Sequence, residues 1–147
     1  MDFVEHMHAK AKELQRRLVF PEGTEPRTIQ AARILVDKKL AGRVTLLGSE
    51  TAVSAAAESA GVKLAGIEVL DPASAETRQG YADEYQELRK HKGMDAGTAH
   101  REITDPLKWG AMMVRKGDAD AMVAGAENAT GDVLVAGTPN LTYAQKS

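Results

Sequence analysis

Trp109–Asp132, WGAMMVRKGDADAMVAGAENATGD, reads as a buried helix, a tight turn at Gly117, a short apolar strand and a loop of glycine and small polar residues. A strand that empties into such a loop is how open α/β sheets present backbone amides and hydroxyls to a phosphate-bearing ligand. The stretch predicts a parallel sheet with a ligand cleft near Gly125–Asp132.

Upstream, the same alternation repeats. Phe3, Met7, Ala11, Leu14 and Leu18 fall at helical spacing, which predicts an amphipathic helix over Asp2–Arg17. Leu18–Phe20 is a short strand stopped by Pro21 and Gly23, and Glu25-Pro26 opens a helix carrying Ile29, Ala32, Val36 and Leu40 up to Gly42. Val44–Leu47 is the second strand, and Ser49 caps an alanine-rich helix that Gly61 ends. Ile67–Leu70 is the third strand, followed by a helix over Ser74–Lys90 with Tyr81, Tyr85 and Leu88 on one side. A short helix over Gly97–Ile103 and another from Asp105-Pro106 to Lys116 precede the last strand, Ala121–Ala124. Strands alternating with helices imply an α/β fold: a three-layer sandwich with a mainly parallel, doubly wound sheet. Residues 1–136 are expected to form its single domain and 137–147 an atypical, poorly ordered tail. Right-handed crossovers would line Pro21–Gly23, Gly48, Asp71 and Gly125 along one edge, where such folds bind ligands.

Composition narrows the classes. A chain of 147 residues, 43% hydrophobic and 27% charged, is an ordinary single-domain size and make-up. A net charge of -2 gives no basis for a nucleic acid or an anionic membrane as partner. With no cysteine there is no disulfide, thiolate metal site or cysteine nucleophile. No apolar run approaches the ~20 residues of a membrane span, and the N-terminus is unlike a secretory signal. A cytoplasmic location is the expectation.

Three groups of residues bear on chemistry. In Glu87–Gly93, ELRKHKG, cations gather at a helix C-terminus. Helix-dipole complementarity explains them, at a few tenths to about 1 kcal/mol; an anion clamp by Arg89 and Lys92, partly neutralised by Glu84 and Glu87, is the alternative. In Pro21–Arg27, PEGTEPR, a turn leading into a proline-initiated helix is favoured over an anion cradle, because Glu22 and Glu25 repel phosphate. His6, His8, His91 and His100 lack metal-ligand spacing, Met112 and Met113 beside Trp109 fill core, and no Walker A or GxGxxG pattern occurs.

Taken in order, PEGTEPR with Ala31–Arg33, ELRKHKG, and GAMMVRKGDADAMVAGA followed by Ala129-Thr130 and Asp132 resemble the N-terminal half of phosphate acetyltransferases. The related phosphate butyryltransferases share parts of the pattern, and the resemblance runs over residues 18–134. It implies reversible acyl transfer between coenzyme A and phosphate in a cleft between two α/β domains, in a protein that forms dimers. It implies acetyl-CoA, phosphate and acetyl phosphate as ligands, coenzyme A as substrate, and no metal or redox cofactor. It makes Arg89 a cleft arginine, Lys92 a second cation of the same kind, and Asn128, Thr130 and Asp132 part of the polar loop bordering the cleft.

The pattern also departs from the family. A catalytic serine–arginine pair and a general-base aspartate have no counterpart here, Val135 stands where an arginine usually follows, and residues 137–147 leave the pattern. The expectation is therefore an N-terminal portion, truncated, altered or engineered at its end and inactive alone, in preference to a natural short homologue. A non-catalytic phosphate-, coenzyme A- or partner-binding module stays open as an alternative. A phosphate butyryltransferase also stays open, as does a dehydrogenase of related layered architecture.

Overall fold

The structure, a computed structural model, describes residues 3–124. Helix α1 (Phe3–Leu14) leads into strand β1 (Arg17–Phe20), and helix α2 (Pro26–Asp37) into strand β2 (Arg43–Leu47). Helix α3 (Glu50–Ala60) and strand β3 (Glu68–Leu70) follow. Three helices, α4 (Arg78–Arg89), α5 (Ala96–Glu102) and α6 (Pro106–Lys116), then precede strand β4 (Ala121–Met122). The sheet has the order β3-β2-β1-β4, and all its pairings are parallel.

A parallel sheet must be covered on both faces, and the two-residue alternation of the strands sorts the core accordingly. Phe20, Val44 and Leu46 pack with Ile29 and Ala32 of α2 and with Val53 and Ala57 of α3. Val19 and Leu47 point the other way, into Tyr81, Tyr85, Ile103, Trp109 and Met112 of α4–α6. The three-layer, doubly wound expectation holds for the described residues.

Capping sets most boundaries. The Ser49 hydroxyl accepts from the Ala52 amide at 3.1 Å, and Asp105 accepts from the Lys108 amide at 3.1 Å. Gly61 and Gly117 close α3 and α6 in the left-handed conformation, as read from the sequence. The opening of β4 is tied to β1: the Arg17 amide and guanidinium both donate to Asp120, at 2.7 to 3.2 Å, and the Asp120 amide donates back to the Arg17 carbonyl. Arg43 and the Tyr81 hydroxyl both donate to Asp118 in the same turn.

Three helix boundaries are corrected. Helix α1 ends at Leu14 rather than Arg17, since Gln15 adopts a positive φ of 48° and the chain turns into β1. None of its residues is buried, and Phe3, Val4, Met7 and Leu14 face solvent. Helix α2 stops at Asp37, and buried Leu40 is reached through Lys39 at φ 55°. Helix α4 starts at Arg78 instead of Ser74, because the Arg78 guanidinium donates to the Ala73 and His100 carbonyls and holds the preceding residues in turns. The readings for Gly125–Asp132 and for residues 137–147 lie outside the described residues.

Candidate functional site at the carboxyl edge of the sheet

Strands β2 and β4 flank β1, and the chain leaves β1 toward one while the other is reached by the long α4–α6 crossover. The crevice outside the carboxyl ends at such a reversal is where doubly wound sheets take ligands. Two depressions lie there. One of about 240 Å³ is walled by Pro21–Thr24, Leu47, Gly48 and Asp105–Leu107. The other, about 170 Å³, lies between β1, the start of α2 and Val123-Ala124. Glu22, only 4% exposed, borders both.

The turn after β1 is pressed against the end of β2. A Cβ at Gly23 would stand 2.3 Å from the Leu47 carbonyl oxygen, so only glycine allows this approach. The turn then enters α2 through Glu25, whose carboxylate accepts from the Arg27 and Thr28 amides at 2.9 and 3.2 Å and from Arg27 Nε at 3.0 Å. Desolvation pushes the Glu25 carboxyl up, but these donors, led by the Arg27 side chain, outweigh it and hold it below the usual carboxylate range. The starts of α2, α3 and α6 all lie at this edge, and each has an amide taken by its own cap residue, Glu25, Ser49 and Asp105 respectively. PEGTEPR is a turn and a capped helix whose Arg27 and Thr28 amides are taken by Glu25.

Positive charge gathers elsewhere on the same side of the sheet. Arg89 ends α4, and Lys90–Lys92 continue it as a 3-10 turn closed by Gly93 at φ 77°. The partial neutralisation expected of Glu84 and Glu87 comes from Glu87 alone, which pairs with Lys90 at 2.7 Å, whereas Glu84 pairs with Arg115 at 2.9 Å and Lys116 at 3.3 Å. Arg89 and Lys92 make no ion pair among the described residues. Arg89 Nε is buried without a hydrogen-bond partner, and the guanidinium lies 5.9 Å over the Tyr85 ring. A buried unpaired donor costs about 1–3 kcal/mol, so Arg89 is held in readiness for an acceptor.

Tyr85 links this cation to the edge. Its hydroxyl donates to Glu102 at 3.1 Å, and burial together with that carboxylate raises its pKa to about 12. Asp105 raises it further while Arg89 opposes, which puts Tyr85 within electrostatic reach of both. Of the sequence-predicted site residues, Arg89 and Lys92 thus sit on one turn, and Asn128, Thr130 and Asp132 lie outside the described residues. Sequence reading did not identify Asp105–Leu107 as a wall or Glu22 as buried. Asp105-Pro106 announced a helix start, but which strand end that start faces is a tertiary fact.

Comparisons with known proteins agree with this geometry. A solved phosphotransacetylase from Streptococcus pyogenes superposes with a TM-score of 0.84 over 92% of this chain and 42% of that one, at 25% identity. Phosphate acetyltransferases from Treponema pallidum and Acetivibrio thermocellus are 44% and 40% identical over 93% and 91% of this chain. The chain spans about 41% and 40% of those relatives' own lengths. The family model described as phosphate acetyl/butaryl transferase matches residues 2–142, wider at both ends than the stretch its motifs marked out. With sheet order, edge and motifs in agreement, the chain belongs to the phosphate acetyl/butaryl transferase family.

Proposed function

We propose that this chain is the N-terminal portion of a phosphate acetyltransferase, which moves an acetyl group between coenzyme A and inorganic phosphate. The names of these two relatives favour acetyl over butyryl transfer. The role assigned to this chain is to bind. Arg89 and Lys92 contact phosphate groups of the coenzyme or substrate, and Asn128, Thr130 and Asp132 border the same cleft. The observation that carries the assignment is Arg89, a cation with a buried, unpartnered Nε and no ion pair among the described residues.

In the reaction the family resemblance implies, a carboxylate takes the thiol proton of coenzyme A and the thiolate attacks the carbonyl carbon of acetyl phosphate. Phosphate then leaves with the electrons of the broken C–O bond. Cationic donors stabilise charge growing on the phosphate oxygens. Arg89 suits that task because its planar fork reaches two oxygens at once. Metal or redox chemistry has no part in the scheme, and the proposal includes a cytoplasmic homodimer. The exposed apolar residues Phe3, Val4 and Met7 of α1 support self-association.

Calorimetric titration of coenzyme A into the chain tests the binding role. Arg89→Ala is expected to weaken binding about tenfold or more, the scale of a lost charge-assisted contact. Unchanged affinity would remove Arg89 from the site. The chain alone is expected to give no acetyl-CoA from acetyl phosphate and coenzyme A, and robust turnover would overturn the division of labour.

A further inference from the structure

We infer that the Lys90 amine, just past the end of α4, is a modification site that takes an acetyl group from an acyl phosphate, with Glu87 receiving the proton. This rests on the proposed function, which supplies acetyl phosphate and gives its phosphate group Arg89 and Lys92 to meet. An amine attacks the same carbonyl carbon that a thiolate does. The bond from Nζ to that carbon forms, and the C–O bond to phosphate breaks. Phosphate leaves with the electron pair. The nitrogen turns positive as it attacks, so its proton passes to the Glu87 carboxylate and from there to the departing phosphate. The product is a neutral amide in place of a cation.

This chemistry asks three things of a lysine: an amine the reagent can reach, a carboxylate placed to take the proton, and a cation close by for the phosphate. Among the described residues only Lys90 and Lys116 bring the amine within ion-pair distance of a carboxylate. Lys116 shares Glu84 with Arg115, which holds it at 2.9 Å, and its own amine lies 5.7 Å over the Tyr81 ring. Its side chain is 31% exposed. Lys90 stands 2.7 Å from Glu87 in the one ion pair that carboxylate makes among the described residues, and the two side chains are 67% and 70% exposed. The preceding residue, Arg89, carries the buried Nε without a partner, and Lys92 is exposed two positions on. Pairing itself holds the amine back, but an exposed ion pair counts for no more than about fivefold. A positioned base contributes about a hundredfold or more, so the base decides the sign.

Incubating the chain with acetyl phosphate and following each lysine by mass spectrometry of its peptides tests the assignment. Lys90 is expected to gain its acetyl group about tenfold or more faster than Lys10, Lys38 and Lys63, which are exposed and make no ion pair among the described residues. Glu87→Gln should erase that lead, and Arg89→Ala should reduce it. Both glutamate and arginine are at least partly exposed, so the fold survives either change, and circular dichroism checks that it does. A Lys90 rate equal to those of the other three lysines, or a lead that Glu87→Gln leaves intact, would overturn the assignment. The binding role stands in that case if coenzyme A affinity still depends on Arg89. If Arg89→Ala changes neither coenzyme A affinity nor the Lys90 rate, the functional reading fails and takes this one with it.

Discussion

Helices α1 and α6 have 12 and 11 residues, and both carry apolar side chains at helical spacing. Their fates differ completely. Helix α6 buries Leu107, Trp109, Gly110, Ala111, Met112 and Met113 against the sheet and α4, while α1 buries nothing. Periodicity states that a helix has an apolar face; it does not state what lies opposite. In α6 the face is matched by Val19, Leu47 and Met122 on the strands and by Tyr81, stacked on Trp109 with ring centroids 4.2 Å apart. Along α1 no such partner exists among the described residues.

Substitutions sharpen this contrast. The largest effect is expected from Trp109→Ala, which empties a fully buried site and loses the Tyr81 stack; denaturant unfolding should show a loss of about 3–5 kcal/mol. Asp105→Ala removes the cap that starts α6 and should cost about 1 kcal/mol, with Asp105→Asn retaining most of it.

Asp120, just beyond α6, gives a pH-dependent effect. Hydrogen bonds from the Arg17 side chain and backbone hold its carboxyl at about 2, below the ordinary 3.8. The stability this lends is complete above about pH 4 and is lost as pH falls through about 2, since protonation breaks the pair. Asp120→Asn should flatten that part of the stability–pH curve, and because both side chains are partly exposed the change stays within about 1 kcal/mol. Smallest of all is Met7→Ser on α1, expected to shift unfolding of the chain by no more than about 0.5 kcal/mol. A loss near that of Trp109→Ala would show that α1 is covered after all.

What the sequence revealed follows the same division. Caps are local, so Ser49, Gly61, Asp105 and Gly117 marked helix ends correctly. By local pattern Gly42 is a helix stop, yet α2 ends at Asp37, and the glycine is needed because a Cβ there would stand 2.4 Å from the Gln15 carbonyl oxygen. That contact joins residues far apart in the chain, which no local pattern reports. The misplaced start of α4 has the same origin, since Arg78 reaches the His100 carbonyl 22 residues away.

At the site, ELRKHKG announced a cluster of cations, but which of them are neutralised depended on where Arg115 and Lys116 fall relative to Glu84. Motif order carried the family, because it is written along the chain. The orphaned Arg89 Nε and the carboxylates around the depression are visible only after folding.

The central claim is that ligand binds at the carboxyl edge of the sheet, between the β1 turn and the end of α4. Hydrogen exchange of the chain with and without coenzyme A tests it most directly. We predict slowed exchange at Gly23–Glu25, Gly48 and Arg89–Gly93, with α1 unaffected. Protection confined to the end of α3 and Gly61–Leu64, on the rim of a separate surface depression, would contradict it.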